Sequence, residues 1–280
     1  MRIGHVRVEF LVDGTFWMDG GGAFGLAPRV LWERVCPPDA LHRIAMTARC
    51  LLVESQGQRI LVNTGYGDDL DPLERERMAL ERPRGGLLAE LARLGLEPGD
   101  VDLVVNTHLH ADHCGGNTRR QGDRWRPTFP RASYCVQRLE LADAAFPNER
   151  TRATYRGENF RPLEAAGQLR PLWGDTWLTP EVCCQVTPGH TRGHQSVVIE
   201  SQGQRAVFLS DAAPMAVNME RLAWVAAFDV EPLTSIETKR RLARWAVQRR
   251  ALLLFEHDVH CAAGYLRLEG DGFAVEPQQV

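Results

Sequence analysis

The segment Glu54-Ser55-Gln56-Gly57-Gln58-Arg59 recurs as Glu200-Ser201-Gln202-Gly203-Gln204-Arg205. Both copies lie between apolar, β-branched runs: Leu51 to Val53 with Ile60 to Val62, and Val197 to Ile199 with Ala206 to Leu209. A polar, glycine-containing loop between two such runs reads as a β-hairpin. Chance or convergent turn chemistry could repeat a loop; the sharper reading is a chain built of two similar αβ halves. The first hairpin runs into Asn63-Thr64-Gly65 and the second into Ser210-Asp211, so both feed polar groups to one site.

Further strands are expected at Val6 to Val12, Val101 to Val105, Ser133 to Val136, Val182 to Val186 and Leu252 to Phe255. Helices are expected near Gly86 to Leu94, Gln137 to Ala144 and Ser235 to Arg249. Thr234 stands three residues before Glu237, a capping-box pattern for the last of these. Ile236, Ala243, Ala246 and Val247 then form its apolar stripe, read as core packing. Two stretches read as irregular loops, the glycine-rich Asp19 to Pro28 and the polar Asp143 to Gly157; loops of that length are often lids or interface elements.

A chain of 280 residues fits one large α/β domain, expected to span 1–280. A formal net charge of -3 argues against nucleic acid as a partner. Arg7, Glu9 and Asp13 interrupt any apolar leader, and no stretch is apolar enough to span a bilayer. Seven cysteines, odd in number and lacking any Cys-x-x-Cys, do not make a disulfide framework. Cys114 and Cys261, beside the polar loops, read as small buried thiols. A cytoplasmic location, with no membrane partner, is expected.

Chemistry concentrates in Thr107-His108-Leu109-His110-Ala111-Asp112-His113-Cys114-Gly115-Gly116, directly after an apolar run. Three imidazoles and a carboxylate at this density would repel or stay unsatisfied without a cation. His108, His110 and Asp112 alternate, so an extended chain would point all three to one side. His113 must then reach a second position unless the chain turns, an arrangement suited to two neighbouring metals. The Gly115-Gly116 pair would let the backbone pass close to the ions.

This His-x-His-x-Asp-His motif followed by glycines resembles the metallo-β-lactamase superfamily. Pro188-Gly189-His190-Thr191-Arg192-Gly193-His194 is similar to its second ligand loop, Ser210-Asp211 to its bridging aspartate, and Glu256-His257-Asp258 to its last ligand loop. The resemblance spans most of the chain and implies the family's α/β fold, a four-layer αββα sandwich with pseudo-symmetric halves. It implies that His108, His110 and His190 hold one metal, that Asp112, His113 and His257 hold the other, and that Asp211 bridges both. His194 would support its loop rather than bind, and His5, His42 and His260 carry no assigned role.

Imidazole and carboxylate ligands without thiolate suit two divalent ions, zinc first, with iron, manganese or cobalt as alternatives. Iron-bound redox members of the family carry Glu where this chain has His110, so hydrolysis is the reaction class. The resemblance implies a shared water whose pKa falls to roughly 7, giving a bridging hydroxide as nucleophile. Asp112 would orient it and pass a proton to the leaving group. Asn63 stands where the family usually has aspartate; its amide could accept one hydrogen bond from a ligand imidazole but carries no charge.

The motif set is most similar to N-acyl-homoserine-lactone lactonases, with methyl-parathion-hydrolase-like members sharing the framework. The substrate would therefore be a small molecule bearing a lactone or ester. Many lactonases place a tyrosine three residues after the bridging aspartate; here that position is Pro214, which widens the range to phosphotriesters. A glyoxalase II-like thiolester hydrolase ranks lower, because the chain ends soon after His257. A non-catalytic metal-containing ligand-binding protein is the alternative of another class. Phe16, Trp17, Phe24, Trp32, Trp224 and Phe228 are candidate walls for an acyl chain, though core packing is the better reading for each alone. A homodimer is an expectation by resemblance, with Asp19 to Pro28 and Asp143 to Gly157 as candidate contacts.

Overall fold

The repeated segments are tight hairpin turns. In the computed structural model, which describes Met1–Val280, Gln56 and Gly57 take φ of 52° and 76°, and Gln202 and Gly203 take 51° and 75°. Two successive positive φ values are what a two-residue hairpin needs to match the twist of its strands. The turns join Arg43–Ser55 to Gln58–Val62 and Gln195–Ser201 to Gln204–Phe208. Glu181 ties the copies together, accepting from Ser55 Oγ at 2.8 Å and from Ser201 Oγ at 2.7 Å.

Each hairpin is the centre of a seven-stranded sheet. One sheet orders its strands as Arg2–Ile3, Val6–Asp19, Arg43–Ser55, Gln58–Val62, Leu103–Val105, Ser133–Gln137 and Leu169–Leu172. The other runs from Thr176–Thr179 through Val182–Val186 and the second hairpin to Leu252–Leu254, Ala263–Glu269 and Gly272–Pro277. In both, the second hairpin strand is followed by a parallel neighbour, Leu103–Val105 or Leu252–Leu254. Alternation builds the layers. Val197, Ile199, Ala206 and Phe208 face Leu51, Val53, Ile60 and Val62 between the sheets. Val198, Val207 and Leu253 face outward onto Leu242, Ala243 and Ala246 of the helix Pro232–Arg249. On the opposite outer face, Leu52 and Leu61 meet Leu87 and Leu91 of the helix Leu87–Arg93. The result is the αββα sandwich, with both hairpins delivering their ends to one edge. No helix is long and apolar enough to cross a membrane.

Several expectations need correction. The first long strand continues through a bulge at Asp13 to Asp19. Asp13-Gly14 looks like a terminator, but the buried carboxylate accepts from the amides of Tyr66 and Leu87 and pairs with Arg82. The last helix begins at Pro232 rather than at a Thr234 cap, since proline at a first helical position loses no hydrogen bond. Its buried face holds Leu242 and Lys239, while Ile236 and Val247 are only half-buried. Asp19 to Pro28 is not all loop: Asp19 accepts from the Gly22 amide and caps the helix Gly20–Phe24. All seven cysteines are free thiols, with Cys114 and Cys261 buried.

Candidate metal centre

The chain leaves the strand Leu103–Val105, bends at Thr107 and His108, is extended at His110 (φ −67°, ψ 152°), and then makes one helical turn, Ala111–Cys114. That turn decides which side chains meet. His108 and His110 precede the turn and converge with His190 and Asp211. Asp112 and His113, roughly 100° apart around the helical turn, converge instead with His257. The simple alternation placing Asp112 with His108 and His110 is therefore wrong, and the helical turn is the reason. All seven sequence-derived candidates are brought together.

Asp211 stands between the two groups. Its Oδ2 lies 3.1 Å from His190 Nε2 and 3.5 Å from His113 Nε2, while its Oδ1 lies 3.0 Å from His257 Nε2. Asp112 Oδ2 is 3.2 Å from His113 Nε2. Ring nitrogens also crowd: His190 Nε2 is 3.1 Å from His110 Nδ1, and His257 Nε2 is 3.3 Å from His113 Nε2. His108 Nε2 and Asp211 Oδ1 are buried without a hydrogen-bond partner. Orphaned buried polar atoms are costly, so a pocket of converging lone pairs fits divalent cations rather than an uncharged packing role. Burial, then the neighbouring imidazoles, holds His108 and His110 well below the ordinary histidine range, leaving their lone pairs free. Burial alone would raise Asp112 and Asp211, but the imidazoles of His113 and His257 outweigh it and keep both ionised.

Behind the ring of inward-facing atoms, a second set of contacts orients the imidazoles. His190 Nδ1 meets Asp229 Oδ1 at 2.8 Å, His257 Nδ1 donates to the Thr47 carbonyl at 2.7 Å, and His108 Nδ1 meets Thr107 Oγ1 at 3.1 Å. His113 Nδ1 meets Glu256 Oε1 at 3.0 Å. Such partners fix the tautomer, so that the other nitrogen faces the ion. Asp229, Thr47 and Glu256 escaped the sequence reading. The first two lie far along the chain from their partners; for Glu256 the signal was an acid at the end of an otherwise apolar run, Leu252 to Phe255. His194 stays outside both groups, its Nδ1 2.8 Å from Thr187 Oγ1 and its Nε2 buried without a hydrogen-bond partner.

The expected role of Asn63 does not hold. Its Oδ1 already accepts from Thr107 N at 2.9 Å and Thr107 Oγ1 at 3.1 Å, so its amide nitrogen faces His113 Nδ1. At the glycines a Cβ on Gly115 would sit 2.3 Å from the Tyr66 carbonyl oxygen, and one on Gly116 2.3 Å from that of Thr64. They let two loops pack together.

Above the centre opens a cavity of about 380 Å³, walled by Phe16, Trp17, Met18, Met78 and Phe228, with His110, Asp112, His190 and Asp211 also on its lining. Asp19, Tyr66, Thr154 and Arg156 supply its other polar groups. Of the six candidate aromatics, Phe24, Trp32 and Trp224 pack on one another instead. Pro214 is absent from the lining; its carbonyl accepts from the His257 amide at 3.0 Å.

The sequence matches the Metallo-beta-lactamase superfamily over residues 45–244, and the chain belongs to that superfamily. An N-acyl homoserine lactonase from Bacillus sp is 28% identical over 226 residues, covering 77% of this chain and 82% of the relative. The N-acyl homoserine lactonase AttM of Rhizobium radiobacter is 28% identical over 189 residues, 64% of this chain and 66% of AttM. Among solved structures, a protein described as a probable metal-dependent hydrolase from Staphylococcus aureus superposes with a TM-score of 0.89 at 28% identity, covering 100% of both chains. The dizinc quorum-quenching lactonase AidC shares the fold, with a TM-score of 0.81 at 22% identity over 100% of this chain and 97% of AidC. Family, fold and the His/Asp clusters together define a metal-dependent hydrolase.

Proposed function

We propose that this chain is a dinuclear hydrolase of lactone or ester bonds in small substrates with an apolar arm. The observation that carries the reading is Asp211, which reaches both histidine groups, His190 at 3.1 Å on one side and His113 at 3.5 Å and His257 at 3.0 Å on the other, at the base of an apolar-walled cavity. His108, His110 and His190 would hold one ion, Asp112, His113 and His257 the other, with Asp211 shared; zinc suits this donor set best. When bound, such ions supply Lewis acidity and water activated near neutral pH.

The chain's own groups do the rest. Phe16, Trp17, Met18 and Phe228 take the apolar arm and exclude bulk water. Burial, then the charge of Asp112, pushes the Tyr66 phenol well above its ordinary range, so it remains a hydrogen-bond donor towards a polarised carbonyl. Its ring is fixed edge-on to Phe16 at a centroid distance of 5.2 Å. It thus offers the hydroxyl that Pro214 lacks. Asp112 lies on the cavity lining and would take a proton and return it to the leaving oxygen.

A panel of N-acyl homoserine lactones, simple lactones, aryl esters, thiolesters and phosphotriesters tests the assignment. We expect lactone or ester turnover that disappears on chelation and returns with zinc. A protein that holds two ions per chain yet hydrolyses no lactone or ester would overturn it; phosphotriester turnover alone would move the assignment to that class.

A further inference from the structure

Glu256 is wholly buried just past the strand Leu252–Leu254, facing Nδ1 of His113, with a carboxylate oxygen within 4.8 Å of Asp211. His113 presents Nε2 to Asp112 at 3.2 Å and to Asp211 at 3.5 Å, while Nδ1 points to Glu256 Oε1 at 3.0 Å. One imidazole cannot aim both nitrogens at one ion, so an ion at Nε2 leaves Glu256 as the partner of Nδ1, although its carboxylate also comes within 4.8 Å of Asp211. The carboxylate is fully engaged. Ser210 Oγ donates to Oε2 at 2.6 Å, and the Asn63 amide nitrogen donates at 2.9 and 3.0 Å.

Those donors come from matching places in the two halves. Asn63 follows the first hairpin and Ser210 the second, and both adopt positive φ, 60° and 49°. With the Asn63 oxygen committed to Thr107, the face it turns to His113 is a donor, which cannot receive the imidazole N–H. Glu256 alone faces that nitrogen with an acceptor and a negative charge.

We propose that Glu256 is the positioning residue of the centre: it accepts a hydrogen bond from the His113 Nδ1–H, so directing the Nε2 lone pair to the ion, and supplies the charge that Asn63 does not. The assignment rests on the dinuclear reading above.

The test is metal affinity, measured by competition with a chromophoric chelator on metal-free protein whose fold is checked by circular dichroism. Glu256→Gln keeps the size but removes the charge, and should weaken the second ion by about 10–100-fold, the usual loss for such partners. Asn63→Asp in the Glu256→Gln background puts a carboxylate where the Asn63 nitrogen now lies, 3.1 Å from His113 Nδ1, and should recover most of that loss. Should Glu256→Gln fail to fold, Glu256→Asp and the double variant carry the test; each is expected within a few-fold of wild type. Affinity unchanged in Glu256→Gln, or an unrecovered loss in the double variant, would overturn the proposal while leaving the dinuclear reading intact. Wild-type protein binding fewer than two ions would overturn both.

Discussion

The candidate ligands announced themselves because histidine and aspartate at this density have few uses besides a cation. Their partners did not. Glu256 and Asp229 are ordinary acids until tertiary structure sets them against His113 and His190, 143 and 39 positions away along the chain by subtraction. The same holds for Lys239, the only lysine in the sequence. Nothing in an arginine-rich amphipathic helix marks it as buried, yet it is 1% exposed and donates to the Trp224 carbonyl at 2.7 Å. Burial pulls its pKa down to about 8, with Asp229 partly opposing. An unfolded lysine titrates near 10.5, so between those values the unfolded chain binds the proton more tightly and stability must rise with pH. The predicted readout is the urea-unfolding free energy of wild type minus that of Lys239→Met. It should grow by roughly 1 kcal/mol per pH unit across that window. A difference flat with pH would show that the ammonium is not desolvated.

At the scale of elements, hairpins and buried strands were legible because their pattern is local: two turns with the same chemistry, and apolar runs of strand length. What stayed hidden depended on neighbours. The one-turn helix Ala111–Cys114 is too short to leave a periodic signal, although it divides the ligands into two groups. Likewise the bulge at Asp13 looks like a strand end until Arg82 and two backbone amides are seen to satisfy it. Glycines separate the two kinds of constraint. At Gly57 the demand is a φ of 76° in open space, so Gly57→Ala should cost only about 1–2 kcal/mol. Gly116 needs room, because an added Cβ would lie 2.3 Å from the Thr64 carbonyl oxygen and push apart the loops beside the centre. Gly116→Ala should cost more than Gly57→Ala, on the order of 3 kcal/mol, and weaken metal binding as well. Equal melting temperatures and equal zinc affinities for the two variants would refute that distinction.

At the scale of the molecule, the two halves meet in a shared core and at Glu181, and their loops close over one polar edge. The layer order followed from the repeat together with the family resemblance; the cavity did not. Phe16, Trp17 and Phe228 line it while Phe24, Trp32 and Trp224 do not, a difference set by how the strand Val6–Asp19 and the loop before Pro232 pack. The dinuclear centre under that cavity is the central claim, and stepwise zinc titration of metal-free wild type and Asp211→Asn, following bound metal and lactone turnover together, tests it most directly. Wild type should take up two ions per chain, with turnover following their uptake and the melting temperature rising as ligand linkage requires. Asp211→Asn should lose one ion along with most of the activity. Turnover undiminished in metal-free protein, or Asp211→Asn retaining two tightly held ions and full activity, would contradict the account.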